Sequence, residues 1–108
     1  RFAELLRARL DRLGGYRVVS NGGAVRGDLM LDTRLVEFYH DATREPGQVR
    51  LELRAELVDL KQRRLLDRHT FEQTVPLTTY DAAGAARASS QAVGRVLDDL
   101  SVWLAPYK

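Results

Sequence analysis

Between Val49 and Leu57 apolar and charged residues alternate without a break, with Val49, Leu51, Leu53, Ala55 and Leu57 on one side and Arg50, Glu52, Arg54 and Glu56 on the other. A period of two is the signature of a strand with one face in a core and the other in water. That single strand constrains the rest: the sheet is one that is covered on one face only, which antiparallel sheets allow and parallel βαβ sheets do not.

Other segments supply the partners. From Asp28, Leu29, Leu31, Thr33 and Leu35 alternate with Asp32 and Arg34, and Phe38, three residues beyond Leu35, returns to the core if a β-bulge sits near Val36 and Glu37. Residues 64–75 are rich in Thr and Phe and end at Pro76, which reads as a strand entered through the short turn Lys61-Gln62-Arg63. Tyr16 to Ser20 followed by Asn21-Gly22-Gly23 reads as a hairpin. The cover is helical. Phe2, Leu5, Leu6, Leu10 and Leu13 recur at three- and four-residue steps before Gly14-Gly15. Asp81 is placed to cap a closing helix, with Ala82, Ala86 and Val93, then Val96, Leu97 and Leu100, then Trp103 and Leu104 on its inward face. The order is α-β-β-β-β-α, an α+β fold with a mostly antiparallel sheet and two helices packed on one face. A chain of 108 residues with 44% hydrophobic content is expected to form a single domain over 1–108.

Pairing Leu60 with Arg64 across the turn sets Leu53 opposite Phe71, Val49 opposite Val75 and Glu56 opposite Arg68. The same register turns Met30, Val58 and Leu66 outward, side by side, with Leu60 extending the cluster and Asp32, Glu56 and Arg68 forming a charged rim. An apolar patch with a polar rim is the form of an interaction site. Met30, Val58, Leu60 and Leu66 are therefore the candidate partner-binding residues, for another protein or a second copy of this chain; a cross-strand cluster lying under a loop or an upstream segment is the alternative.

Catalytic chemistry finds little to stand on. Cysteine is absent, which removes thiolate nucleophiles, disulfides and cysteine metal sites. Ser89 and Ser90 fall mid-helix and Ser20 ends a strand, none on the sharp turn a nucleophilic serine needs. His40, a strand-end surface residue, and His69, a partly buried residue beside Ala55, are the two histidines, too few for a zinc site. Asp98 and Asp99 diverge on a helix. The glycines 22, 23 and 27 lack the Lys-Ser/Thr of a phosphate loop. Seventeen basic residues against fifteen acidic ones give a net charge of only +2, and the wet face mixes signs, which argues against nucleic acid. No catalytic residue, cofactor or metal is expected. Apolar runs of four or five residues are far short of the roughly 20 needed to span a bilayer.

The leading helix into Gly14-Gly-Tyr-Arg-Val-Val19, Asp28-Leu29 with Leu31, Leu35 and Phe38, Val49 through Asp59, Leu65-Leu66, Phe71 and an alanine-rich closing helix ending Trp103-Leu104 form a pattern. It resembles the ABC-type transport auxiliary lipoproteins, the PqiC-like components that accompany MCE-type lipid transport systems in Gram-negative bacteria. The resemblance spans nearly the whole chain. It implies a periplasmic domain tethered to a membrane by a lipidated N-terminal cysteine, docking on an MCE-domain protein and catalysing nothing; a carrier that holds a lipid between helices and sheet is the rival reading. The chain opens on Arg1, so the lipoprotein segment and a strand expected ahead of the first helix are looked for upstream.

Overall fold

The computed structural model describes residues 1–107; Lys108 lies outside the described residues. The fold is α+β. Helix α1 (Phe2–Leu13) precedes strands β1 (Arg17–Ser20), β2 (Gly23–Arg26), β3 (Leu29–Asp41), β4 (Gln48–Asp59) and β5 (Arg64–Pro76), and helix α2 (Ala82–Leu104) closes the chain. The strands form one open antiparallel sheet in the order β1-β2-β3-β4-β5, so each pairs with its neighbour in sequence. The expected four strands become five because the return arm of the first hairpin, Gly23–Arg26, is itself a strand.

Two turns fix the register. Thr33 donates both its amide and its hydroxyl to the Gly22 carbonyl, each at 2.8 Å, which ties the first hairpin to β3. Gly22 has φ 86°, and a Cβ there would lie 2.6 Å from the Thr33 carbonyl oxygen, so the position admits no side chain. Between β4 and β5, Arg63 adopts the left-handed conformation at φ 54° as the last residue of the four-residue connection 60–63. Asp59 Oδ1 accepts from the amides of Lys61 at 2.9 Å and Gln62 at 3.0 Å.

The chain divides into two compact units, residues 1–34 with 54–70, and residues 35–53 with 71 onward. In the first, α1 buries Leu6 and Leu10, while the sheet buries Ala24, Leu31, Ala55 and Leu57. Leu13, expected in the stripe, is 37% exposed: the helix stops there at Gly14, and its buried stripe ends one turn earlier.

In the second unit Val49, Leu51, Leu53, Phe71 and Val75 are buried, and α2 buries Ala88, Ala92, Val93, Val96, Leu97, Leu100 and Leu104. Trp103 is half-buried, edge-on to Phe71 with ring centres 5.9 Å apart. Asp81 caps α2 as expected, its Oδ1 accepting from the Gly84 amide at 2.7 Å and from the Thr79 hydroxyl at 2.8 Å. Ala82 and Ala86, expected inward, are exposed, because the capping loop packs Thr79 onto Gly84 and the buried stripe starts there. Leu35 was also expected in the core and is 38% exposed; Phe38 is half-buried. The reason is sheet geometry. The β2 ladder reaches β3 only over Leu29–Asp32, so beyond Thr33 the strand has lost its neighbour on that side.

Candidate partner-binding face

The register of the outward face follows from three observations in the first unit. Val25 pairs with Met30 on β2 and β3, beside Ala24 paired with the buried Leu31. The Leu60 amide donates to the Asp28 carbonyl at 2.8 Å, which in an antiparallel pair sets Met30 opposite Val58, Asp32 opposite Glu56 and Arg34 opposite Arg54. On the far side of β4, Arg54 and Glu56 line one concave site with Arg68 and Thr70 of β5. Burial agrees, since Leu31 and Leu57, neighbours under this register on the inner face, are both 0% exposed.

Three rows therefore cross the outer face. Val25, Met30 and Val58 form an apolar row, each half-buried, as Leu66 is on β5. Asp32 and Glu56 form the next, and Arg34 and Arg54 the third. The two polar rows line a concave site of about 330 Å³ built from residues 32–34, 54–56 and 68–70. Of the four sequence-predicted residues, Met30 and Val58 face each other across β3 and β4, Leu66 is half-buried on β5, and Leu60 is 43% exposed just past the end of β4. Val25 was missed. Its strand is four residues long, too short for alternation to announce itself, although its place after Gly22-Gly23 in the hairpin was a usable signal.

A second concavity of about 250 Å³ lies between α1 and the first hairpin, lined by Leu6, Leu10 and Val18 on its apolar side, with Glu4 and Arg7 from the helix. In the second unit His40 sits at the exposed end of β3, its ring edge-on to Tyr80 at 6.5 Å. His69, expected to be partly buried, is exposed, because β5 is the last strand of the sheet order and no further strand flanks it among the described residues. Hydrogen bonds from the side chain and amide of Thr43 hold the Asp41 carboxyl below its usual range, the mark of a loop-closing turn. Asp98 and Asp99 are exposed on α2, with Asp99 3.4 Å from the Gln73 amide nitrogen. Among the described residues no three His, Asp or Glu side chains gather into a metal-binding group.

A family model described as the ABC-type transport auxiliary lipoprotein component matches residues 1–101. The chain belongs to this family. Among solved structures, a protein of Xanthomonas campestris is 28% identical with a TM-score of 0.69, over 73% of this chain and 47% of its own length. The chain thus accounts for about half of that relative. A candidate lipoprotein from Caulobacter crescentus CB15 shares the fold at 20% identity and a TM-score of 0.55, over 100% of this chain and 86% of its own. No curated protein sequence matches. The auxiliary-lipoprotein family is one of transport accessory components and is not a known enzyme family. No helix among the described residues is long and apolar enough to cross a membrane.

Proposed function

We propose that these 108 residues act as one docking domain of an ABC-type transport system, in the periplasm, on a protein held to the membrane by an N-terminal lipid anchor. Its partner on this reading is the MCE-domain protein of the system, and its work is assembly, not chemistry. The observation that carries the reading is the outer face of the first unit: an apolar row of Val25, Met30 and Val58, which Leu66 extends on this reading, beside a charged concave site. A half-buried apolar row with a polar margin is the anatomy of a protein contact.

The rival, a carrier that encloses a lipid, is favoured by the apolar groove between α1 and the first hairpin. At about 250 Å³ and open to solvent, that groove falls below the roughly 300 to 1,000 Å³ of sites that enclose a drug-sized ligand. Beneath it the core is shut, with Ala24 and Leu31 almost wholly inaccessible. Docking is the better fit.

Val58→Asp tests it. Folding stability and capture of the MCE-domain partner are measured on one preparation. Docking predicts capture lost with the melting temperature unchanged. A well-folded variant that captures the partner normally removes this face from the account, and lipid extraction with the wild-type chain but not with a groove variant such as Val18→Asp would favour the carrier.

A further inference from the structure

We infer that the outer face receives a carboxylate of its partner, an Asp or Glu side chain, between Arg34 and Arg54; this rests on the docking reading above and specifies its chemistry. The register sets the two arginines directly opposite on neighbouring strands, on the solvent side, in the same concave site. Like charges placed directly across a ladder are unfavourable in the free protein. An anion that bridges them converts that repulsion into two charge-assisted contacts. Each guanidinium offers five donors in a planar fork matched to a carboxylate, so Arg54 keeps donors to spare beside the interaction it already makes within the chain. Arg34 stands where the β2 ladder has ended, which leaves its flank open to an incoming chain.

The surroundings select a protein over a lipid surface. An anionic bilayer responds to summed positive charge near its surface. Here Asp32 and Glu56 lie in the same site and offset two of its three arginines, Arg34, Arg54 and Arg68. What remains is a pattern of signs: acidic in the row next to Met30 and Val58, basic in the row beyond. A discrete partner segment can match that pattern, with apolar side chains over Val25, Met30, Val58 and Leu66 and its carboxylate one row further on.

The test titrates the purified MCE-domain partner into the wild type, Arg34→Thr, Arg54→Thr, the double variant and Val58→Asp, at two salt concentrations, with melting temperatures recorded for each. The inference predicts at least a tenfold loss of affinity in the double variant, a shallower salt dependence, and a melting temperature at or above the wild type in Arg34→Thr, because removing one of two opposed charges relieves repulsion; Arg54→Thr also gives up the interaction that Arg54 makes within the chain. Partial rescue by Arg34→Lys is expected to be poor, since an ammonium cannot fork. Unchanged affinity in the arginine variants beside loss in Val58→Asp would overturn the carboxylate site and leave docking standing. Unchanged affinity in all of them would overturn the docking face itself. A melting temperature lowered in both single variants would contradict the opposed-charge geometry. Vesicles of phosphatidylglycerol and of phosphatidylcholine complete the set: arginine-dependent binding to the anionic vesicles, with the partner titration unaffected, would reassign the site to lipid headgroups and overturn the proposal.

Discussion

The two faces of the sheet in the first unit are made from the same kind of residue and finished differently. On the inner face Leu31, Ala55 and Leu57 are at or near zero exposure, closed over by a surface to which α1 contributes Leu6 and Leu10. On the outer face Met30 and Val58, one residue along on the same strands, remain half-buried, with Val25 paired to Met30. Alternation alone would have made the outer face polar throughout, as it is at Arg50 and Arg54 on β4. The departure over one row shows that burial drives the inner face, whereas the outer row is apolar while only half-buried.

The largest test of that contrast pairs two truncations. Leu57→Ala is expected to cost about 3 kcal/mol in a denaturant titration, since it opens a cavity in a closed core. Met30→Ala, from a half-exposed row, should cost about 1 kcal/mol or less. Equal losses would mean that the outer row is as closed as the core and unavailable to a partner. Next in size is Trp103→Ala in the second unit, expected to cost about 3 kcal/mol, the low end for tryptophan, because the ring is only half-buried and leans on Phe71. A loss under about 1 kcal/mol would show the Phe71 contact to be incidental.

A smaller and cleaner probe keeps shape and adds a hydroxyl. Val49→Thr on the closed face strands a polar group where nothing accepts it and should cost about 1 to 2 kcal/mol. Val58→Thr on the outer face leaves its hydroxyl within reach of water and should stay within about 0.5 kcal/mol of the wild type. If Val58→Thr costs as much as Val49→Thr, the outer row is not wet.

Where both faces of a strand have neighbours, the pattern could be read in advance; where a neighbour ends, it could not. The alternation of β4 announced its inner face residue by residue, Val49, Leu51, Leu53, Ala55 and Leu57 all being buried. Asp81 was legible because a capping carboxylate acts through its own helix's first turn. Leu35, Leu13 and His69 were misplaced for one reason: their periodicity is right, but each lies where the covering element or the adjacent strand stops, and the extent of a neighbour is a long-range fact. Val25 escaped for the opposite reason, being placed by pairing with Met30 in a strand too short to carry a period. Arg34 and Arg54 read as ordinary wet-face charges, and only the register set them opposite each other.

The same contrast between finished and unfinished surfaces extends to the helix ends, and acid should expose it with the smallest effect of all. Helix α2 begins at a carboxylate that accepts from its own first turn, whereas α1 begins at Arg1 with no side-chain cap. The hydrogen bond from the Gly84 amide, then that from Thr79, hold the Asp81 carboxyl below its ordinary value of 3.8. A group whose pKa is lowered in the folded state adds stability above its unfolded pKa, and that contribution is lost as the pH falls through the folded value. Protection of the Gly84 amide from hydrogen exchange should therefore hold at neutral pH and decline only once the pH falls below the ordinary carboxylate value, as the cap takes up its proton. The Leu5 amide, bonded to the Arg1 carbonyl at 3.2 Å in the first turn of α1, has no capping side chain to lose, only the Glu4 charge in that turn, and should show lower protection with a smaller acid decline over the same range. Asp81→Asn separates cap from charge: it can still accept from Gly84, so it should retain protection at neutral pH while abolishing the acid decline. A decline that survives in Asp81→Asn would place its origin elsewhere in the chain.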